Sequence, residues 1–170
     1  MPPEPLPRIP TASDVFVDSN ILVYAIEGRS PQCLSLLERC LREKVTGICS
    51  YSVVIEATHQ FMISDARKNG LLPAPGRSPA KYLKEHPQIV RSLRAYWADA
   101  QRIFSLNLLF LEADEAILKQ AQLEREDTGL RTMDSVIVSH MREYGIGMLA
   151  TNDADFERVA GIHVFQPTDI

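Results

Sequence analysis

The chain lacks any apolar run near the roughly 18 residues that a membrane-spanning helix needs. It has only 3 cysteines among 170 residues, Cys33, Cys40 and Cys49. None forms a Cys-x-x-Cys pair, and Cys33 and Cys40 stand two helical turns apart, a spacing that suits small core residues better than zinc ligands. So few thiols, odd in number, fit a reducing cytoplasm, which is the expected location. No basic start leads into an apolar stretch at the N-terminus, so no secretory signal is expected. Neither the Walker phosphate loop nor the Gly-x-Gly-x-x-Gly fingerprint is present. An excess of positive charge is missing too: 18 Lys and Arg face 22 Asp and Glu, for a net charge of -4. That balance argues against a protein that holds nucleic acid through its overall field.

What remains is ordinary for a globular domain, with 45% hydrophobic and 24% charged residues. The length suits one domain with a real core better than two. The charge is unevenly placed. Between Arg67 and Arg102 eight bases meet only two acids, Glu85 and Asp99, whereas the rest of the chain carries ten bases and twenty acids. A solvated helix face is the ordinary explanation of such a run. The sharper one is a basic arm that touches phosphates. Residues 1–13 hold Pro2, Pro3, Pro5, Pro7 and Pro10 and read as an extended, loose tail. Residues 14–170 then form the single domain, with a helical, basic insertion over about 70–104.

Along that domain, short β-branched and apolar runs alternate with amphipathic segments. Strands are expected at Val15–Val17, Gly47–Tyr51, Leu108–Leu111, Met148–Thr151 and Ile162–Phe165. A helix follows the first strand through Ile26. Another starts at Pro31 and shows Leu34, Leu36, Leu37 and Leu41 up to about Lys44. Ser52 is a candidate cap for a helix bearing Val54, Ile55, Phe61 and Met62. Gly70–Pro79 breaks that helix. One long helix then carries Ile89, Val90, Leu93, Trp97, Ala100 and Phe104 at 3.6-residue spacing. Glu115–Glu126 and Thr132–Glu143 are helical, and Ala154–Val159 is a short helix. The alternation predicts parallel strands joined by right-handed crossovers in a three-layer α/β/α domain. Ligands of such sheets gather beyond the carboxyl ends of the strands.

Four acids fall at such places. Asp18 ends the first strand and Asn20 follows it; capping the next helix would explain Asp18 alone. Glu56 lies early in the helix after the second strand, where an acid suits the positive helix end, yet Val54, Ile55 and Ala57 border it with apolar packing. His59 completes a Glu-x-x-His spacing, but no second copy exists, so it reads as packing or support. Asp134 precedes Ser135-Val136-Ile137-Val138, where an inward acid without a partner is costly. Thr151-Asn152-Asp153-Ala154-Asp155-Phe156 closes the fourth strand with a hydroxyl, an amide and two acids. Oxygen donors of this kind suit hard cations such as Mg²⁺ or Mn²⁺. Clustered carboxylates would repel one another without such an ion.

In Phe16-Val17-Asp18-Ser19-Asn20, Glu56, Met133-Asp134-Ser135-Val136-Ile137 and Leu149-Ala150-Thr151-Asn152-Asp153-Ala154-Asp155-Phe156, the chain resembles the PIN domain family of metal-dependent ribonucleases, especially the VapC-type toxins of bacterial toxin–antitoxin pairs. The likeness spans Val15 to Phe165, and its Thr-x-Asp-x-Asp-Phe pattern is its most specific part. It implies that Asp18, Glu56, Asp134 and Asp153 hold Mg²⁺ or Mn²⁺ and are catalytic, with Asn20, Thr151 and Asp155 in support. It also implies an RNA substrate cleaved by hydrolysis, a homodimer and a cognate antitoxin. The 70–104 insertion departs from compact toxins of this type. In the family this region often forms a protruding helical pair, and Arg77, Lys81, Lys84, Arg91 and Arg94 are the candidate RNA contacts on it.

Two other hydrolase or signalling folds begin with a strand ending in Asp. A haloacid dehalogenase-type phosphatase needs a second acid two residues later, where this chain has Asn20. A receiver domain wants an early acidic pair and a late lysine at a strand end, where this chain has Thr151-Asn152. The remaining alternative is a PIN-like scaffold that binds protein or RNA with little or no nuclease activity.

Overall fold

The computed structural model describes residues 2–73 and 76–170. Its six strands are β1 (Glu4–Pro5), β2 (Asp14–Val17), β3 (Thr46–Ser50), β4 (Leu109–Leu111), β5 (Met148–Ala150) and β6 (His163–Gln166). They form one sheet in the order β1-β6-β5-β2-β3-β4, and every pairing is parallel. Eight described helices cover it as an α/β/α sandwich: α1 (Ser19–Ile26), α2 (Pro31–Leu41), α3 (Tyr51–Lys68), α4 (Pro79–Glu85), α5 (Pro87–Ser92), α6 (Ala95–Ile103), α7 (Glu115–Thr128) and α8 (Thr132–Glu143). The expected fold class is therefore the one formed. Among the described residues no helix is long and apolar enough to cross a membrane.

The central strands are covered on both faces. Val15, Phe16 and Val17 of β2 are fully buried, as are Leu149 and Ala150 of β5, so their sequences are continuously apolar rather than alternating. Cys33, Cys40 and Cys49 are free and buried, and burial pushes their thiols up to about 11, 11 and 12. They are core residues and unreactive as nucleophiles. Cys40 also explains Gly47 of β3, where an added Cβ would lie 2.8 Å from its Sγ and collide with Leu108.

The N-terminal segment is not the loose tail that its prolines suggest. Glu4 and Pro5 pair with Phe165 and Gln166 of β6, and an edge strand is where a proline without an N–H is tolerated. The turn over Leu6–Arg8 then buries Leu6 and Ile9 in the main core. Arg39 of α2 donates to the Ile9 carbonyl at 2.5 Å. Leu6→Ala should therefore cost about 3 kcal/mol in denaturant unfolding, where a truly free tail would show no change.

Three local expectations also change. Ser50, not Ser52, caps α3 by accepting from the Val53 N–H. In α2 the buried face is Cys33, Leu36, Leu37 and Cys40, while Leu34 and Leu41 are exposed and the helix stops at Leu41. The long helix expected to carry Ile89 to Phe104 is two pieces, α5 and α6, and the separate α4 precedes them. The break at Leu93-Arg94 has a distant cause: the buried carboxylate of Asp65 in α3 accepts from the Arg94 and Tyr96 N–H groups, both at 3.1 Å. It thus supplies the cap that starts α6. Leu83 and Leu93 pack with Ala66 in a satellite core beneath this arm, whereas Trp97 and Phe104 remain exposed. Of the Gly70–Pro79 breaker, Ala74 and Pro75 lie outside the described residues.

Candidate active site

The chain runs from β2 outward to β3 and β4, then crosses to the other side of β2 to form β5 and β6. The connections leaving β2 and β5 therefore diverge, and a crevice opens beyond their carboxyl ends, the usual ligand position in an open parallel sheet. Asp18 follows β2, Thr151 and Asp153 follow β5, Glu56 sits in the second turn of α3 behind β3, and Asp134 in the first turn of α8. A cleft of about 260 Å³ is lined by Asp18, Glu56, Asp134 and Asp153 together with Asn20 and Arg131. All four acids expected to act together thus reach one space.

Asp18 is the most constrained of them. Its Oδ1 accepts from the Ser19 N–H at 2.6 Å. Its Oδ2 accepts from Asn20 Nδ2 at 2.7 Å and from Thr151 Oγ1 at 2.6 Å. Asn20 in turn accepts from the Asn152 N–H at 2.9 Å, and Thr151 Oγ1 accepts from the Asp153 N–H at 3.0 Å. The two supporting residues thus tie the loop after β5 to the one after β2. Asp153 Oδ1 accepts from the Asp155 N–H at 2.9 Å, capping the turn over Ala154–Arg158.

The electrostatics are unfavourable in a consistent direction. Burial pushes Asp18 up to about 6; its bonds from Thr151 and Ser19 oppose this, and Glu56 and Asp134 add to it. Glu56 is also raised, first by desolvation, with Ser19 and Arg131 opposing and Asp134 and Asp153 reinforcing. Asp134 is raised by desolvation and by Asp153 and Asp155, against Arg131. Among the described residues its buried Oδ2 makes no hydrogen bond, and the Arg131 guanidinium stands 3.4 Å from it as an ion-pair partner. The Arg131 side chain is 76% exposed, so it offsets this buried oxygen only in part, and a divalent ion would complete the neutralisation. Asp134, Asp153 and Asp155 can bring one oxygen each within 4.8 Å of the others. The donor set is all oxygen and fits a hard divalent ion. Asp155 differs from the rest in pairing outward with Arg158 at 2.8 Å.

Two arginines that the sequence did not single out, Arg131 and Arg29, line the cleft. Arg131 precedes α8, and its guanidinium lies 3.4 Å from Asp134 Oδ2 and 3.7 Å from Asp153 Oδ2. Arg29 lines the far end with Tyr24, and Gln60 stands one helical turn beyond Glu56. Arg77, Lys81, Lys84, Arg91 and Arg94 are all exposed on the α4–α6 arm, and none lines the cleft. Arg94 turns back to donate to the Arg91 and Leu93 carbonyls, and Arg77 lies 3.8 Å from Glu85. His59 is exposed and likewise outside the cleft.

The PIN domain family model matches residues 15–162. The chain belongs to the PIN domain family. PIN domains are generally metal-dependent nucleases, and the cleft occupies the position where this PIN domain gathers its acids. No curated protein matches the chain in sequence. Among solved structures, the chain is similar to VapBC2 from Rickettsia felis bound to a DNA fragment from its promoter, at 20% identity and TM-score 0.55, covering 90% of this chain and 98% of that one. A toxin–antitoxin complex from Klebsiella pneumoniae matches at 16% identity and TM-score 0.54, over 92% and 99% of the two chains. VapC20 from Mycobacterium tuberculosis, described as a sarcin–ricin loop cleaving toxin, matches at 15% identity and TM-score 0.54, over 84% and 92%. At these identities the likeness establishes the PIN fold.

Proposed function

We propose that this PIN domain is a Mg²⁺- or Mn²⁺-dependent endoribonuclease and the toxin of a toxin–antitoxin pair. The observation that carries the reading is the convergence of Asp18, Glu56, Asp134 and Asp153 on one cleft at the sheet's switch point, where the exposed Arg131 is the ion-pair partner of both Asp134 and Asp153. The descriptions of the similar structures as toxins and toxin–antitoxin complexes support the biological half.

Asp18, Glu56, Asp134 and Asp153 would hold the metal. A divalent ion there supplies Lewis-acid stabilisation of phosphoryl oxygens and lowers the pKa of an attacking water. The chain's own part is preorganisation. Thr151 and Asn20 fix the Asp18 carboxylate in one orientation, and Asp155 braces the Asp153 turn. Arg131, between Asp134 and Asp153, neutralises acid charge and is placed to meet a substrate phosphate. The exposed cations of the α4–α6 arm are proposed as outer contacts to the RNA backbone. A cytoplasmic location, a homodimer and a small antitoxin that restrains the enzyme complete the proposal.

The second reading is a binding scaffold in which Arg131 acts as a permanent counterion of the acids. Cleavage of a labelled RNA pool in Mg²⁺, Mn²⁺ or EDTA, beside Asp18→Asn, separates the two. Metal-dependent cleavage that falls by at least about 100-fold in the variant is the expected result. Equal cleavage by the variant overturns the site, and cleavage by neither protein favours the scaffold.

A further inference from the structure

The cleft has a second end that the metal chemistry does not use. Asn20, Val23 and Tyr24 share one face of α1, and Glu56 and Gln60 share one face of α3, so the cleft runs along both helices away from Asp18. From Asn20 to Tyr24 the distance along α1 is about 6 Å, within reach of one phosphate-to-phosphate step of an extended strand. At that end stands Arg29.

Several contacts hold Arg29 in place. Gly28 takes a φ of 70° after α1, and the Arg29 N–H then donates to the Tyr24 carbonyl at 2.7 Å. The turn carries the guanidinium over the Tyr24 ring, 4.5 Å from its centroid, where a cation is attracted to the ring face. Glu27 approaches Arg29 at 3.8 Å, but the same carboxylate receives Lys68 at 3.1 Å. Two cations thus share one acid, so Glu27 does not neutralise Arg29 alone. The Arg29 side chain is 54% exposed, so its unused N–H groups are open to a ligand.

We infer that Arg29, braced on Tyr24, binds the backbone phosphate next to the one cleaved and so sets the path of single-stranded RNA through the cleft. This rests on the ribonuclease reading of the same site. It makes the acidic end the place of chemistry and the Tyr24–Arg29 end the place of substrate grip. A planar guanidinium suits a phosphate, because its donors meet two oxygens at once.

The test uses a fluorescein-labelled single-stranded oligoribonucleotide. Binding is read by anisotropy in the Asp18→Asn background, with and without Mg²⁺, across a salt series. Cleavage KM is read in the otherwise intact protein. Adding Arg29→Ala should weaken binding and raise KM by about tenfold, and should lower the salt slope by about 0.7. Arg29→Lys should recover only part of the loss, and Arg8→Ala, an equal charge change on the N-terminal segment, should have little effect. Unchanged binding and KM in Arg29→Ala, with RNA still cleaved by the intact protein, overturn the Arg29 role alone. The same loss in Arg8→Ala overturns it in favour of a general field effect. RNA that is neither bound nor cleaved overturns the ribonuclease reading and this inference together.

Discussion

At pH 7 and in EDTA, Asp18→Asn should melt above the unaltered protein by about 2–6 °C, and Mn²⁺ should then stabilise the unaltered protein far more than the variant. The sign follows from burial. The Asp18 carboxyl is held up at about 6 against an ordinary 3.8, so the folded state binds the proton more tightly than the unfolded chain does. Stability contributed by this group therefore falls as pH rises from about 4 to about 6. Above that window the buried charge costs about 3 kcal/mol. Asn removes the charge, but its amide cannot accept from the Ser19 N–H and satisfy the other donors equally well, which returns about 1 kcal/mol or more. The advantage of the variant should shrink toward pH 4.

His140 pulls the other way across the same range. It is buried against Phe16, neither ring nitrogen has a hydrogen-bond partner, and burial lowers its pKa. For that reason the informative quantity is the difference between the two proteins at each pH, not either melting curve alone. Metal adds the complementary half: an ion at 100 times its Kd stabilises the folded protein by about 2.7 kcal/mol, and the variant loses most of that. A variant that melts lower at every pH would make Asp18 a structural helix cap.

Asp65→Ala has the second large effect, in the opposite direction. The Asp65 carboxylate accepts from Asn69 Nδ2 at 2.8 Å and from the Arg94 and Tyr96 N–H groups at 3.1 Å each. Truncation removes three bonds to one charged acceptor and strips α6 of its cap. A loss of about 3 kcal/mol follows, or about 6–12 °C in melting temperature. Because α4 and α5 dock through Leu83 and Leu93 beside this junction, limited proteolysis should move into the α4–α6 arm. Metal affinity should be unchanged, since Asp65 does not line the cleft. A loss below about 1 kcal/mol, or a parallel loss of metal binding, would contradict this division of labour.

The parts of the fold that were legible in the sequence share a cause. Val15–Val17 and Met148–Ala150 are buried on both faces, so unbroken apolar runs marked them, and each ends in a polar cluster that can only belong to the crevice. Asp18, Asp153, Glu56 and Asp134 could be read because inward acids beside apolar residues have few alternative uses. Arg131 and Arg29 carried no such signal. One precedes a helix without capping it, and the other follows a glycine, and both are ordinary places for arginine; only the sheet's switch point brings them to the acids. The basic arm was legible as a run of charges but not in its direction, because a count of charges says nothing about where a helix faces.

The anchored N-terminal segment and the divided helix, two of the four departures from expectation, also have a physical cause. In residues 2–13 the composition is dominated by proline, which hides the two anchors Leu6 and Ile9 and a strand only two residues long. Over Ile89–Phe104 the 3.6-residue period continues through Leu93, so nothing local reports a break. The cap that divides α5 from α6 comes from Asp65, far earlier in the chain, and long-range hydrogen bonds leave no periodic trace.

The proposed metal site draws its acids from the turn after β2, from α3 and α8, and from the loop after β5. Anomalous diffraction from crystals soaked in Mn²⁺ tests it most directly. The expected result is a peak within about 2.1 Å of carboxylate oxygens of Asp18 and Asp134, with Glu56 and Asp153 beside it and Arg131 displaced toward solvent. A peak held only by Asp134, Asp153 and Asp155, or no peak in the cleft at all, would contradict it.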